Sequence, residues 1–317
     1  MGKSVHIIMY HYVRALEHSR YPRLNALSVS DFRKQLAYVR EQYNVIGGDH
    51  LMAAVRGDVL LPSKAAVLTF DDGYRDHFRT VFPILDEAGL PGCFFPPARC
   101  VLDREVLDVN KIHYVLASAD EVDAVDERLF RLMDEWGESA ELRSREEYRS
   151  AVAGDHRFDE PQVVLVKRLL QRELPDGLRR RILDHLFDCF VDVSEQVLAE
   201  ELYMTMDQLR CLNRHGMYVG GHGDRHEWMD RLGVDDQRAD IDRTLQFLDE
   251  VGTPTEGWIM CYPYGAHDAS LRSLLRDRGC AVGLTTGGEI ADLRQDEPLA
   301  LPRLDTNDVP LSAPDFA

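Results

Sequence analysis

No stretch of this chain reaches 18 consecutive apolar residues, the length a membrane-crossing helix needs. Nor does its start read as an export leader. Met1-Gly2-Lys3-Ser4-Val5-His6-Ile7-Ile8-Met9-Tyr10-His11 has too short an apolar run and no small-residue cleavage pattern. Positive charge is in the minority: 37 Lys and Arg face 55 Asp and Glu, for a formal net charge of −18. That balance argues against a nucleic-acid partner and against docking on anionic lipid, but it leaves a neutral sugar open. Cys-x-x-Cys is absent. The six cysteines (Cys93, Cys100, Cys189, Cys211, Cys261 and Cys280) are scattered, several of them in apolar runs. They read as reduced and mostly structural, in a cytoplasmic protein without membrane insertion. Internal repeats and low-complexity tracts are also missing.

What is present is an ordinary globular composition, 44% hydrophobic and 29% charged over 317 residues, with length for a large core. The pattern alternates strands and helices from residue 5 to about 100. Strands are expected at Val5–Tyr10, Tyr43–Ile46, Ala66–Phe70 and Gly92–Phe95. Helices are expected at Ser30–Glu41, His50–Val55 and Phe78–Ala88, the last closed by Gly89. Residues 12–27 read as a polar connection carrying Arg14, Arg20 and Arg23. Between residues 102 and 201 strand signals vanish and helical ones take over, at 109–119, 121–135, 162–173, 178–189 and 194–201. This is too long for a loop and reads as a largely helical insertion. Within it, residues 137–160 are polar and are expected to be mobile. Alternation then resumes, with strands at 217–221, 258–262 and 280–284 and a short final extended piece at 301–304. The fold class is therefore α/β, a parallel barrel or doubly wound sheet of about seven strands.

Two clusters stand out. The buried-strand run Ala66-Val67-Leu68-Thr69-Phe70 ends in Asp71-Asp72-Gly73-Tyr74, which places two carboxylates at the carboxyl end of a core strand. On an extended chain neighbouring side chains point apart, so the two acids are expected to divide their work. Read alone, Asp-Asp-Gly is also ordinary turn chemistry. About 150 residues later, Gly221-His222-Gly223-Asp224-Arg225-His226 follows another strand. Two histidines four apart plus one carboxylate make a donor set for a catalytic metal with open positions; read alone, they make a polar loop.

Together these motifs resemble those of the polysaccharide deacetylases, the NodB-homology group or carbohydrate esterase family 4. Thr69-Phe70-Asp71-Asp72-Gly73-Tyr74, Gly221-His222-x-x-x-His226 and Cys261-Tyr262-Pro263-Tyr264-Gly265 stand in the family's order. The resemblance covers residues 5–100 and 205–305. It implies a distorted (β/α)7 barrel spanning 1–101 and 202–317, with the helical insertion at 102–201. It also implies a metal-dependent removal of an acetyl or formyl group from the nitrogen of an amino sugar. Asp71 is then the general base. Asp72, His222 and His226 hold one divalent ion, most often zinc, otherwise nickel, cobalt or iron. The backbone N–H of Tyr264 assists the oxyanion.

The chain departs from the family's pattern in three places. Gly223 and Glu227 replace a hydroxyl residue and a proline in the second motif. Cys261 stands where an arginine normally orients the base, with Arg303 as the candidate replacement. The late general-acid histidine is missing, and Tyr10-His11-Tyr12-Val13 looks like a permuted version that supplies it as His11. His267 is a weaker candidate. His77 is expected on the helix after the first motif. Tyr74 and Arg75 are read as substrate contacts or turn packing, Trp228 and Met229 as core rather than a sugar platform, and Asp224 as a partner of a ligand histidine or a solvated turn residue. A cytoplasmic surface-glycan or O-antigen precursor is the expected substrate, and self-association through the insertion stays open. The rivals are a non-catalytic carbohydrate-binding protein of the same fold and another metallohydrolase such as a phosphoesterase.

Overall fold

The computed structural model describes residues 3–137, 141–153 and 159–311. They divide into two compact units. One takes in residues up to 15, 26–105 and from 199 onward; the other comprises 16–25 and 106–198.

The first unit is built on nine strands: β1 Ser4–Tyr10, β2 Asn44–Val45, β3 Ala65–Asp71, β4 Cys93–Phe95, β5 Tyr218–Val219, β6 Trp258–Cys261, β7 Cys280–Leu284, β8 Ala291–Asp292 and β9 Leu304–Asp305. Parallel pairing runs β1 to β3, β3 to β4 and β4 to β5. Gly221 then bridges to Met260 of β6, β6 pairs with β7, and Leu284 bridges to Leu301. The chain beyond Leu301 reaches β9, whose Leu304 lies opposite Ile8 of β1. The ring is thereby closed as a (β/α) barrel. All seven residues of β3 are buried, as a strand covered on both faces requires. Val5, Ile7, Val67, Phe95, Ile259, Val282 and Leu301 meet in its core.

The expected second strand shrinks to β2, which flanks only the foot of β3 at Ala65 and Ala66. The weak Leu301–Leu304 signal, by contrast, belongs to the segment that closes the ring.

The second unit is helical. Its main helices are Asp108–Ser118, Val122–Trp136, Arg145–Ala151, Pro161–Arg168 and Asp176–Phe190. Ile112, Val115, Leu129, Leu169, Ile182 and Leu186 form its dry interior. Buried Lys111 is paired with Asp184 and Glu195, each at 2.8 Å. Two sequence readings change here. Residues 16–25 are part of this unit rather than a free connection. The Arg23 guanidinium donates to the Ala117 and Ser118 carbonyls at the end of helix Asp108–Ser118, and Tyr21 packs edge-on against Tyr114. The polar stretch 137–160 contains a helix, Arg145–Ala151, started by a Ser144/Glu147 capping box. Residues 138–140 and 154–158 of that stretch lie outside the described residues.

Candidate metal centre

Parallel strands of one barrel deliver their carboxyl ends to one rim. β3 ends at Asp71, His11 follows β1, His222 follows the β5 segment, Cys261 ends β6, and Arg303 immediately precedes β9. A separate cavity of about 430 Å³, lined by Val55, Gly257, Cys280 and Leu299 among others, opens at the other ends of β6 and β7 and touches none of these residues.

Asp71 and Arg303 form a buried, two-pronged pair. Nη1 donates to Oδ1 at 2.9 Å and Nη2 to Oδ2 at 2.7 Å. Arg303 also donates from Nε to the Thr285 carbonyl and from Nη1 to the Thr69 hydroxyl, so its plane is fixed. Burial by itself would raise the Asp71 carboxyl; the Arg303 guanidinium, and then His222, outweigh it and hold Asp71 at about 2. Cys261 approaches both Asp71 oxygens at 3.4 Å through Sγ. Burial pushes that thiol up, so it faces the carboxylate as a neutral S–H donor.

Asp72 turns away from Asp71, though not by pleat alternation. Its φ is 70°, so the chain leaves β3 in a left-handed step. Tyr74 Oη donates to Asp72 Oδ2 at 2.6 Å. Oδ1 is left facing His222 Nε2 at 3.4 Å and His226 Nε2 at 3.3 Å. His222 Nδ1 lies 2.7 Å from the Cys261 carbonyl. A carbonyl only accepts, so Nδ1 carries the proton and neutral His222 presents a lone pair at Nε2. Asp72 Oδ1 and His222 Nε2 are buried without a hydrogen-bond partner.

Three acceptor atoms that converge with no donor between them call for a cation. The electrostatics agree. Burial lowers the His226 imidazole below its ordinary value despite the neighbouring Asp72, so that ring stays neutral beside the carboxylate. Nitrogen, nitrogen and carboxylate oxygen are a zinc-type donor set. The residues fit a divalent metal ion. Asp71, His222 and Cys261 also lie close together. They fit less well, since Arg303 already occupies Asp71 and the thiol keeps its proton.

Around this centre the other sequence candidates separate. His11 Nε2 lies 3.9 Å from Asp71 Oδ2, with its side chain 43% exposed. Its carbonyl accepts at 2.8 Å from Nε2 of buried His77, which sits on a π-helical turn, His77–Val81. Tyr264 adopts φ 58°. Its ring meets the edge of His226 and stacks on Trp228 at 4.5 Å. Trp228 is therefore a half-buried slab beside the centre rather than core, whereas Met229 is buried as expected. Asp224 meets no ligand histidine; its carboxylate accepts from Arg99 at 3.1 Å. His267 takes a hydrogen bond from Arg272. Tyr74, read as a substrate contact or turn packing, instead donates to Asp72, and His77, expected on the helix after the first motif, does sit on that turn but also holds the His11 carbonyl. The signal was there in Tyr74, two residues past a ligand and aromatic.

The polysaccharide deacetylase family model matches residues 59–125 and 181–283, more than half of the chain. The chain belongs to the polysaccharide deacetylase family. A curated relative, the poly-beta-1,6-N-acetyl-D-glucosamine N-deacetylase of Escherichia coli K12, is 40% identical over 75 residues. That match spans 23% of the chain and 11% of the relative's length. Among solved structures, the Streptococcus pyogenes deacetylase PplD in complex with acetate aligns with a TM-score of 0.57 at 16% identity, covering 95% of this chain and 92% of that one. IcaB from Ammonifex degensii aligns at 0.56 and 18% identity, covering 96% and 91%. At such identities the likeness is one of fold, and it extends over nearly the whole length of the chain.

Proposed function

We propose that this protein removes an N-acyl group, acetyl or formyl, from an amino sugar of a surface glycan or its O-antigen-type precursor. We propose further that it uses one divalent ion, zinc first, held by Asp72, His222 and His226. The observation that carries this reading is the convergence of those three acceptors beside the Arg303-held Asp71. Family membership and the amino-sugar polymer named for the Escherichia coli relative support it.

When bound, the ion would polarise the acyl carbonyl and make a water more acidic. Asp71, ionised at every physiological pH, takes the proton of the attacking water as the C–O bond forms. Tyr264 N–H donates to the developing oxyanion. His11, on the open side of Asp71, gives a proton to the nitrogen as the C–N bond breaks. The free amine and a short carboxylic acid leave.

Removing a ligand tests the centre. His222→Ala is expected to weaken zinc binding by more than the roughly 10–100-fold that loss of an outer partner costs. Zinc content equal to that of the native protein, by elemental analysis, overturns the ligand assignment. Acid release from β-1,6-linked N-acetylglucosamine oligomers, and from nucleotide-linked and lipid-linked N-acyl sugars, tests the reaction; release from none of them overturns the proposal. His11→Ala is expected to keep the metal and to slow release by about 10²-fold or more. An unaffected rate removes His11 as the acid.

A further inference from the structure

Helix Val234–Val251 packs along the loop that carries both ligand histidines. The contacts fall at two residues one turn apart. A Cβ on Gly221 would lie 2.6 Å from Thr244 Cγ2, and one on Gly223 would lie 3.0 Å from Asp240 Oδ1. The two glycines flanking His222 thus let the loop lie flat on this helix. Gly223 also takes φ 70°, a conformation that costs glycine little. Asp240, nearly buried, accepts from the Asp224 backbone N–H through Oδ2 at 3.0 Å. On the loop's other side, the Gly223 carbonyl accepts from Ala98 N–H at 2.9 Å, and Arg99 N–H donates to the Asp224 carbonyl at 3.1 Å. The turn is clamped from both sides, two residues before His226.

We propose that Asp240 is a positioning residue of the metal centre, holding the 223–225 backbone in the left-handed turn that brings His226 onto Asp72. It acts through the loop and touches no ligand atom. The proposal rests on the metal reading of Asp72, His222 and His226. It also accounts for Gly223 standing where the second motif usually has a hydroxyl residue. A Cβ at position 223 would press on the Asp240 carboxylate at 3.0 Å and push it off the Asp224 N–H, so the glycine and the acid belong together.

The test uses Co²⁺ on the metal-stripped full chain, with affinity read by titration and geometry by the visible absorption of the bound ion. Asp240→Ala is expected to weaken Co²⁺ binding about 10- to 100-fold and to alter the band shape. Asp240→Asn keeps an oxygen acceptor for the Asp224 N–H, and is expected to recover most of the affinity. Gly223→Ala is expected to weaken binding in the native background and to weaken it by less on top of Asp240→Ala. The backbone strain is common to both backgrounds and cancels, whereas the 3.0 Å clash exists only when Asp240 is present. If Asp240→Ala does not fold, Asp240→Ser, too short to reach the Asp224 N–H, replaces it. Native Co²⁺ affinity and spectrum in the folded Ala or Ser variant overturn the positioning role. A native chain that binds no Co²⁺ overturns the metal reading itself, and this proposal with it.

Discussion

An Asp71→Asn protein is expected to bind metal as the native chain does and to turn over roughly 10²- to 10⁴-fold more slowly. The separation follows from geometry. Asp72, not Asp71, faces His222 and His226, and the left-handed step between the two acids points their carboxylates to different neighbours. The amide removes the base and leaves the three converging acceptors in place. It also places an –NH₂ against a guanidinium, so the variant is expected to be less stable and must be assayed below its lowered unfolding midpoint. Metal content by elemental analysis and acid release at saturating substrate decide the matter together. Full activity removes Asp71 as the base, and loss of metal shows that it belongs to the metal site instead.

Arg303→Met is expected to give the largest loss of stability, about 3–5 kcal/mol, because it leaves Asp71 buried without its counter-charge. The pH dependence follows from the pair. Asp71 sits at about 2 in the fold against an ordinary 3.8. A carboxyl with a depressed folded value contributes stability above its unfolded value, and gives it up as pH falls through the folded one. That contribution is on the order of 2 kcal/mol at neutral pH. In the Met variant burial is no longer outweighed by the guanidinium, so the Asp71 value rises toward the ordinary range and most of that contribution is lost. The gap in urea unfolding between native and variant should be widest near neutral pH and should narrow between pH 4 and pH 2. A gap that is constant with pH would show that Arg303 acts by packing alone.

Much of the barrel is legible in the chain because parallel strands buried on both faces leave continuous apolar runs, as at Ala66–Phe70 and Cys280–Leu284. The ring-closing segment shows only as the short extended piece at 301–304, since it is held by single bridges and a two-residue strand that leave almost no periodic trace. At the site, Asp71, Asp72, His222, His226, His11 and Arg303 could all be named from motif order, and the structure brings them to one rim. What pattern reading misses is what acts through the backbone or from a distant helix. Tyr74 orients Asp72 by its hydroxyl, His77 secures the His11 carbonyl, and Asp240 lies 14 residues past His226 with no motif around it. Trp228, expected in the core beside Met229, is half-buried instead. Its stacking on Tyr264 depends on a backbone conformation that composition does not signal.

Five non-glycine residues have positive φ among the described residues, and three of them are Asp72, His226 and Tyr264. Aspartate and histidine tolerate that region better than most residues, but tyrosine does not, and each such residue stores on the order of 1–3 kcal/mol. The rim is therefore held under tension by the rest of the barrel. Natural drift or engineering toward greater stability would find its easiest gain here, in a glycine at Tyr264. That exchange would relax the turn and give up the stacking on Trp228 and His226. The backbone N–H survives that exchange, so what is set against robustness at this one position is the aromatic face beside the metal centre, and a thermostabilised descendant of this chain should be inspected there first.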